Sequence, residues 1–115
     1  MMTKNERLKV YNKYNGHCAY CGKPIEYKDM QVDHINSKYK SRYNNEDVVE
    51  SFENYNPSCR MCNFRKGALS IDEFRNEIKE QAQREMQRFQ SRMSEAYGLI
   101  EYHPEREIKF YFETI

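Results

Sequence analysis

The cysteines of this chain fall as two pairs, Cys18-Ala19-Tyr20-Cys21 and Cys59-Arg60-Met61-Cys62, with none left over. Each C-x-x-C pair can turn two thiolates toward one point, and two such pairs complete the tetrahedral shell of a structural zinc ion. This obliges two stretches far apart in the chain to meet, and no other feature constrains the fold as much. A closed four-thiolate shell has no open position, so such an ion stabilises and does not catalyse. The other use of four cysteines is a disulfide framework in a secreted domain. However, the stretch Met1 to Arg7 leads into no apolar run of the kind a signal peptide needs, and nothing approaches membrane-spanning length. The expectation is therefore a reduced cytoplasmic setting, bacterial or a phage-infected host, with thiolates held by metal.

The 115 residues leave room for a single domain spanning 1–115. Only 38% of them are hydrophobic, and a domain of this size buries a modest share of its surface. Zinc binding of roughly 10–16 kcal/mol, as in finger peptides, would supply the stability that the small core lacks. The net charge of +1 does not announce a nucleic-acid binder, but the distribution is more telling. Lys38, Lys40 and Arg42 follow His34 with no acid among them, and Arg60, Arg65 and Lys66 lie between Cys59 and Leu69 likewise. Lys38, Lys40, Arg42, Arg65 and Lys66 are thus candidates for contact with a phosphate backbone.

Along the chain, Lys4 to about Tyr14 reads as a short amphipathic helix with Leu8 and Tyr11 inward, and Val10 and Tyr14 as further candidates for that face. Gly16, Gly22 and Pro24 frame the first cysteine pair as a tight knuckle. Ile25 to Ile35 reads as two short strands around a turn near Lys28-Asp29, and Asn36 to Asn56 as mostly loop. Pro57-Ser58 introduces a short helix over the second pair, stopped by Gly67. Ser70 with Glu73 forms a capping box that opens a long helix, with Ile71, Phe74, Ile78, Ala82, Met86, Phe89, Met93 and Tyr97 on one face. That helix would run on the order of 40 Å to a left-handed Gly98, with Leu99 as its hydrophobic cap. Ile108, Phe110 and Phe112 alternate with polar neighbours as a final half-buried strand.

Between and after the cysteines lie Asp33-His34 at a strand end, Asn54, and Asn63 directly after Cys62. Phosphodiester hydrolysis needs a water nucleophile, a base and positive charge near the leaving oxygen. Neutral imidazole is suited to take that proton near pH 7, while a carboxylate and an amide oxygen are hard ligands that leave a cation open to water and phosphate. The string Cys18-x-x-Cys21, Val32-Asp33-His34-Ile35, Asn54-x-x-Pro57-x-Cys59-x-x-Cys62-Asn63 and Lys66-Gly67 resembles the four-cysteine branch of the HNH nucleases. The resemblance covers about residues 15–74, with the C-terminal extension at about 71–115.

This resemblance implies an α+β fold: a small ββα-metal (HNH) core stapled by zinc on Cys18, Cys21, Cys59 and Cys62, with the short N-terminal helix, the long C-terminal helix and the final strand added. It implies a DNA endonuclease, nicking or cutting both strands and leaving 5′-phosphate ends, with RNA an open second substrate. His34 is then the general base, Asn54 braces the loop that orients it, and Asp33 with Asn63 holds Mg²⁺ or Mn²⁺. Asn63 stands where the family name has its last His, which favours the harder metals. A regular strand sends Asp33 and His34 to opposite faces, so the two converge only if the strand ends or twists there.

The rival reading is a non-catalytic zinc-dependent DNA-binding module, and a further one an accessory protein of phage DNA packaging. His17, next to Cys18, reads as an exposed or outer neighbour of the zinc shell, with a substitute zinc ligand as the alternative, and His103 as a turn residue without a role. The long helix leaves monomer and homodimer both open, and no membrane partner is expected.

Overall fold

The computed structural model describes residues 2–36 and 50–115. The expected phosphate contacts of Lys38, Lys40 and Arg42 lie outside the described residues. The architecture is mixed α+β, with one two-stranded sheet and five α-helices among the described residues. Two compact units are present: Met1–Ile71 together with Lys109–Ile115, and Asp72–Ile108.

In the first unit, α1 covers Lys4–Asn12 and starts where the Thr3 hydroxyl accepts the Glu6 amide at 3.1 Å. Its buried residue is Val10, which packs with Met30 and Tyr55, flanked by Tyr11, Ile25 and Val32. Leu8, expected to face inward, is 46% exposed. The helix ends before Asn15 and Gly16, both at positive φ, and a Cβ on Gly16 would fall 2.9 Å from the Tyr11 hydroxyl. Tyr11 instead donates to the Ile25 carbonyl at 2.7 Å, which ties α1 to the stretch before the sheet.

The sheet pairs β1 (Gln31–His34) with β2 (Tyr55–Ser58) antiparallel, with Asp33 opposite Asn56 and His34 opposite Tyr55. The expected hairpin across Lys28-Asp29 is not formed. Tyr27–Asp29 is a 3-10 turn, and the Arg7 guanidinium takes the carbonyls of Tyr27 and Met30 at 3.2 and 2.8 Å. Carbonyls bonded by a guanidinium have no need of a neighbouring strand, so β1 finds its partner in Tyr55–Ser58, part of which read as loop. Next, α2 (Arg60–Lys66) carries the second cysteine pair and ends at Gly67, which has φ +49°. The order β1, β2, α2 makes a ββα unit.

The second unit holds α3 (Ile71–Met86, its first residue just outside the unit) and α4 (Phe89–Ala96). The single long helix expected here is broken at Gln87-Arg88. Arg88 is extended, and the Glu85 carboxylate accepts from the hydroxyl of buried Ser91 at 2.8 Å and from Arg88 at 3.3 Å. The Ser91 bond, with that from Arg88, holds the Glu85 carboxyl below its ordinary value. A side chain reaching forward six residues thus closes the break, with neither Gly nor Pro to announce it. Gly98 is left-handed at φ +74°, with Leu99 N–H returning to the Ser94 carbonyl, but Leu99 itself is exposed.

The expected C-terminal strand is instead a one-turn helix, α5 (Tyr111–Thr114), back in the first unit. The Glu113 carboxylate captures the Phe110 amide at 2.8 Å, while the Tyr111 and Phe112 amides donate to Tyr20 and Ala19. The alternation of Phe110 and Phe112 reflects two rings set edge-on around Tyr20, at 5.3 and 5.8 Å, and not a strand.

Candidate metal centre and nuclease site

The four cysteine sulfurs lie within 4.8 Å of one another, and all four cysteines are free of disulfides. Cys21 and Cys59 sulfurs are 3.9 Å apart. A tetrahedral ion with metal–sulfur bonds of about 2.3 Å needs sulfur–sulfur edges of roughly 3.8 Å, so the cluster fits zinc. Backbone amides complete it: Tyr20 and Cys59 N–H point at the Cys18 sulfur at 3.4 and 3.3 Å, and Cys62 N–H at the Cys59 sulfur at 3.4 Å. The Cys18 thiol is brought down to about 4, first by its bond with Cys62 and then by amides of Cys59, Tyr20 and Cys21, against the effect of burial. Cys62 moves the other way because it is the proton-holding partner of Cys18. Burial pushes Cys21 up as well.

His17 stays out of the cluster. Its Nδ1 lies 3.1 Å from the carbonyls of both Tyr14 and Asn15, and its ring stacks on Tyr111 at 5.4 Å. His103 lies between Glu101 and Glu105 in the second unit.

Tyr20, the last residue before Cys21, connects this cluster to Asp33. Its hydroxyl donates to Asp33 Oδ2 in a short hydrogen bond and accepts from Asn56 Nδ2 at 3.2 Å. Asp33 Oδ1 accepts from Lys66 Nζ at 3.0 Å, and Lys66 also donates to the His34 carbonyl at 3.1 Å. Lys66 is fully buried, so its ammonium faces Asp33 and not a surface where DNA could lie. Burial pushes the Asp33 carboxyl up, opposed by Tyr20 and Lys66. Burial and the nearby Asp33 charge raise the Tyr20 hydroxyl. Asn56 Oδ1 is buried, with no partner among the described residues. This Tyr20–Asp33–Lys66–Asn56 network was not foreseen from the sequence; a tyrosine inside C-x-x-C and a lysine in a basic run carry no mark of burial.

β1 stays regular through Asp33 and His34, so their side chains part. While Asp33 points to Tyr20 and Lys66, the His34 ring meets Tyr55 edge-on at 5.3 Å, and its Nε2 lies 3.2 Å from both Glu50 oxygens. Tyr55 also donates to Glu50 at 2.8 Å, which pushes its own hydroxyl up to about 12. Asn54 is buried and brackets the residues after His34: its Oδ1 accepts Asn36 N–H at 2.9 Å, its Nδ2 donates to the Asn36 carbonyl at 3.2 Å, and its own carbonyl accepts Ile35 N–H.

Asn63 sits one turn into α2, where its backbone accepts the Gly67 amide. Among the described residues its side chain makes no hydrogen bond. Each Asp33 oxygen keeps a lone pair beyond the bonds it already accepts, so a hard cation can still share the carboxylate. Arg60 and Arg65 are exposed on the same helix.

Residues 18–69 match a family model described as HNH endonuclease. Among curated proteins there is no match. The matched stretch contains the cysteine cluster, β1, β2 and α2, and over residues 18–69 this chain is similar to the HNH endonucleases.

Proposed function

We propose that the protein is a metal-dependent endonuclease that hydrolyses DNA phosphodiesters, with His34 as the base that takes a proton from water. The observation that carries this reading is the environment of His34. Its ring is partly open to solvent, one nitrogen is held by a carboxylate, and the chain just beyond it is clamped by Asn54. A base must be reachable and also fixed, and His34 is both. Asp33 and Asn63 would hold a divalent cation, which supplies Lewis-acid charge at the phosphate when bound. Exposed Arg60 and Arg65 serve the phosphate backbone, and zinc on the four cysteines holds α2 in place.

Two observations favour the rival, a zinc-dependent DNA-binding module without catalysis: both Asp33 oxygens already accept from Tyr20 and Lys66, and the side chains of Asp33 and His34 part along β1. Supercoiled plasmid incubated with the zinc-loaded protein in Mg²⁺, Mn²⁺ or EDTA separates the two. The nuclease reading expects cation-dependent nicking that His34→Ala lowers by roughly 10²–10⁴-fold, with His17→Ala and His103→Ala near wild type. Equal activity in all three variants would remove His34 from the mechanism, and binding without cutting would select the rival.

A further inference from the structure

The carboxylate on His34 comes from a residue outside the cysteine and Asp-His strings, Glu50. An ionised carboxylate offers only acceptors, so the nitrogen facing it must carry the ring proton. Nε2 lies 3.2 Å from Glu50 Oε1 and 3.2 Å from Oε2. The neutral ring is thereby fixed as the Nε2–H tautomer, with its lone pair on Nδ1. Among the described residues no protein group bonds Nδ1. Glu50 is itself fixed by the Tyr55 hydroxyl at 2.8 Å, and the Tyr55 ring stands against the imidazole at 89°. Two contacts therefore set the ring's rotation, and one sets which nitrogen is free.

The pair adds little to stability, because its side chains are 22% and 48% exposed and surface ion pairs contribute little. Its geometry has a clearer use. When a base takes a proton the ring becomes an imidazolium, and a carboxylate already on the far nitrogen stabilises that charge as it forms.

We propose that Glu50 is the positioning residue of His34, holding Nε2–H so that Nδ1 receives the proton of the attacking water. The proposal rests on the reading of His34 as the base. In the step, the O–H bond of water breaks and its proton goes to Nδ1, while the water oxygen bonds to phosphorus. The electron pair of the broken phosphorus–oxygen bond leaves with the departing oxygen, which takes a proton from solvent. The imidazolium later returns its proton to solvent.

Two measurements on the full zinc-loaded chain test this. The first is the tautomer of His34, read from long-range ¹H–¹⁵N NMR at alkaline pH where the ring is neutral. We expect a protonated Nε2 in wild type and a loss of that preference in Glu50→Ala. A protonated Nδ1 in wild type overturns the proposal, whether or not the protein cuts DNA. The second is plasmid nicking, in which Glu50→Ala should lower kcat about ten- to a hundredfold with KM little changed. The same change made on His34→Ala should have no further effect. Unchanged kcat in Glu50→Ala, or an equal further loss on the His34→Ala background, overturns it. Tyr55→Phe, which keeps the ring and removes the hydroxyl bonded to Glu50, should show the same kcat loss in milder form and serves if Glu50→Ala does not fold. A wild type that fails to cut defeats the nuclease reading alone, since the NMR measurement still decides the role of Glu50.

Discussion

The unit that carries the cysteines and the unit from Asp72 to Ile108 differ in what they put inside. The first buries polar groups: Asp33, Asn54, Asn56, Ser58 and Lys66 are all inside, each close to a cysteine, a strand or the start of a helix. The second buries only Phe74 and Ser91, and both units leave apolar groups outside, Phe64 at 87% in the first and Phe89, Tyr97 and Leu99 at 71, 75 and 78% in the second. The difference teaches that a few directional bonds define a small fold more sharply than a periodic apolar stripe. A hydrogen bond or thiolate fixes a distance and an angle, whereas a stripe says only that a partner would be welcome.

The largest effect should come from removing a thiolate. Cys59→Ser takes away one of the four sulfurs that would hold zinc and the acceptor of the Cys62 amide. We expect zinc to be lost and hydrogen-exchange protection to collapse in the first unit, with α3 changing less. Equal loss of protection in α3 would show that the contrast between the units is not one of stability. Because Cys21 and Cys62 hold their protons without metal, zinc uptake should also release protons, measurable with a pH indicator in weak buffer.

Next comes Lys66→Ala, which leaves Asp33 buried beside Tyr20 without its cation. Breaking such a pair costs about 3–5 kcal/mol, to be read from denaturant unfolding of the zinc-loaded protein. The double variant Asp33→Leu with Lys66→Met should recover much of that loss without recovering nicking. A Lys66→Ala protein as stable as wild type but weaker on DNA would return Lys66 to the phosphate-contacting set.

Gly22→Ala should cost less, about 1–3 kcal/mol. Gly22 has φ +80°, and a Cβ there would stand 2.8 Å from the Tyr111 ring. Thermal unfolding measures it, and a neutral result would mean that α5 can move off the knuckle freely. The smallest change should be Phe89→Ser, within about 0.5 kcal/mol as for exposed sites generally. A loss well beyond that would show that the exposed stripe is covered in solution.

How much of this was legible in the sequence follows from the same contrast. The cysteine cluster was, because metal chemistry demands a ligand type and a spacing together. The end of α2 at Gly67 was, since a left-handed residue is needed there. The partner of β1 was not: Arg7, remote in sequence, takes the carbonyls that would have made a hairpin. The broken helix was not, because Glu85 and Ser91 close the gap through a bond that any helical surface could seem to offer. At the candidate site, the resemblance to the HNH string singles out Asp33, His34, Asn54 and Asn63. The real neighbours of Asp33 and His34, namely Tyr20, Glu50 and Lys66, come from three other stretches and meet them only through the fold.

The two-stranded sheet has one more consequence, for self-association. The Asn54 carbonyl faces Ile35, so in the alternating ladder Tyr55 and Pro57 turn their backbone groups to the far edge. There the Tyr55 carbonyl is taken by Lys13 at 2.6 Å and the Pro57 carbonyl by the Ala19 amide at 2.8 Å, while Pro57 has no amide at all. A strand from another molecule arriving at that edge would find almost nothing to bond. So short a ribbon, left open, would be a template for cross-molecule pairing. Here its outer edge is already used up, and copies of this protein should not add to one another by strand exchange at β2.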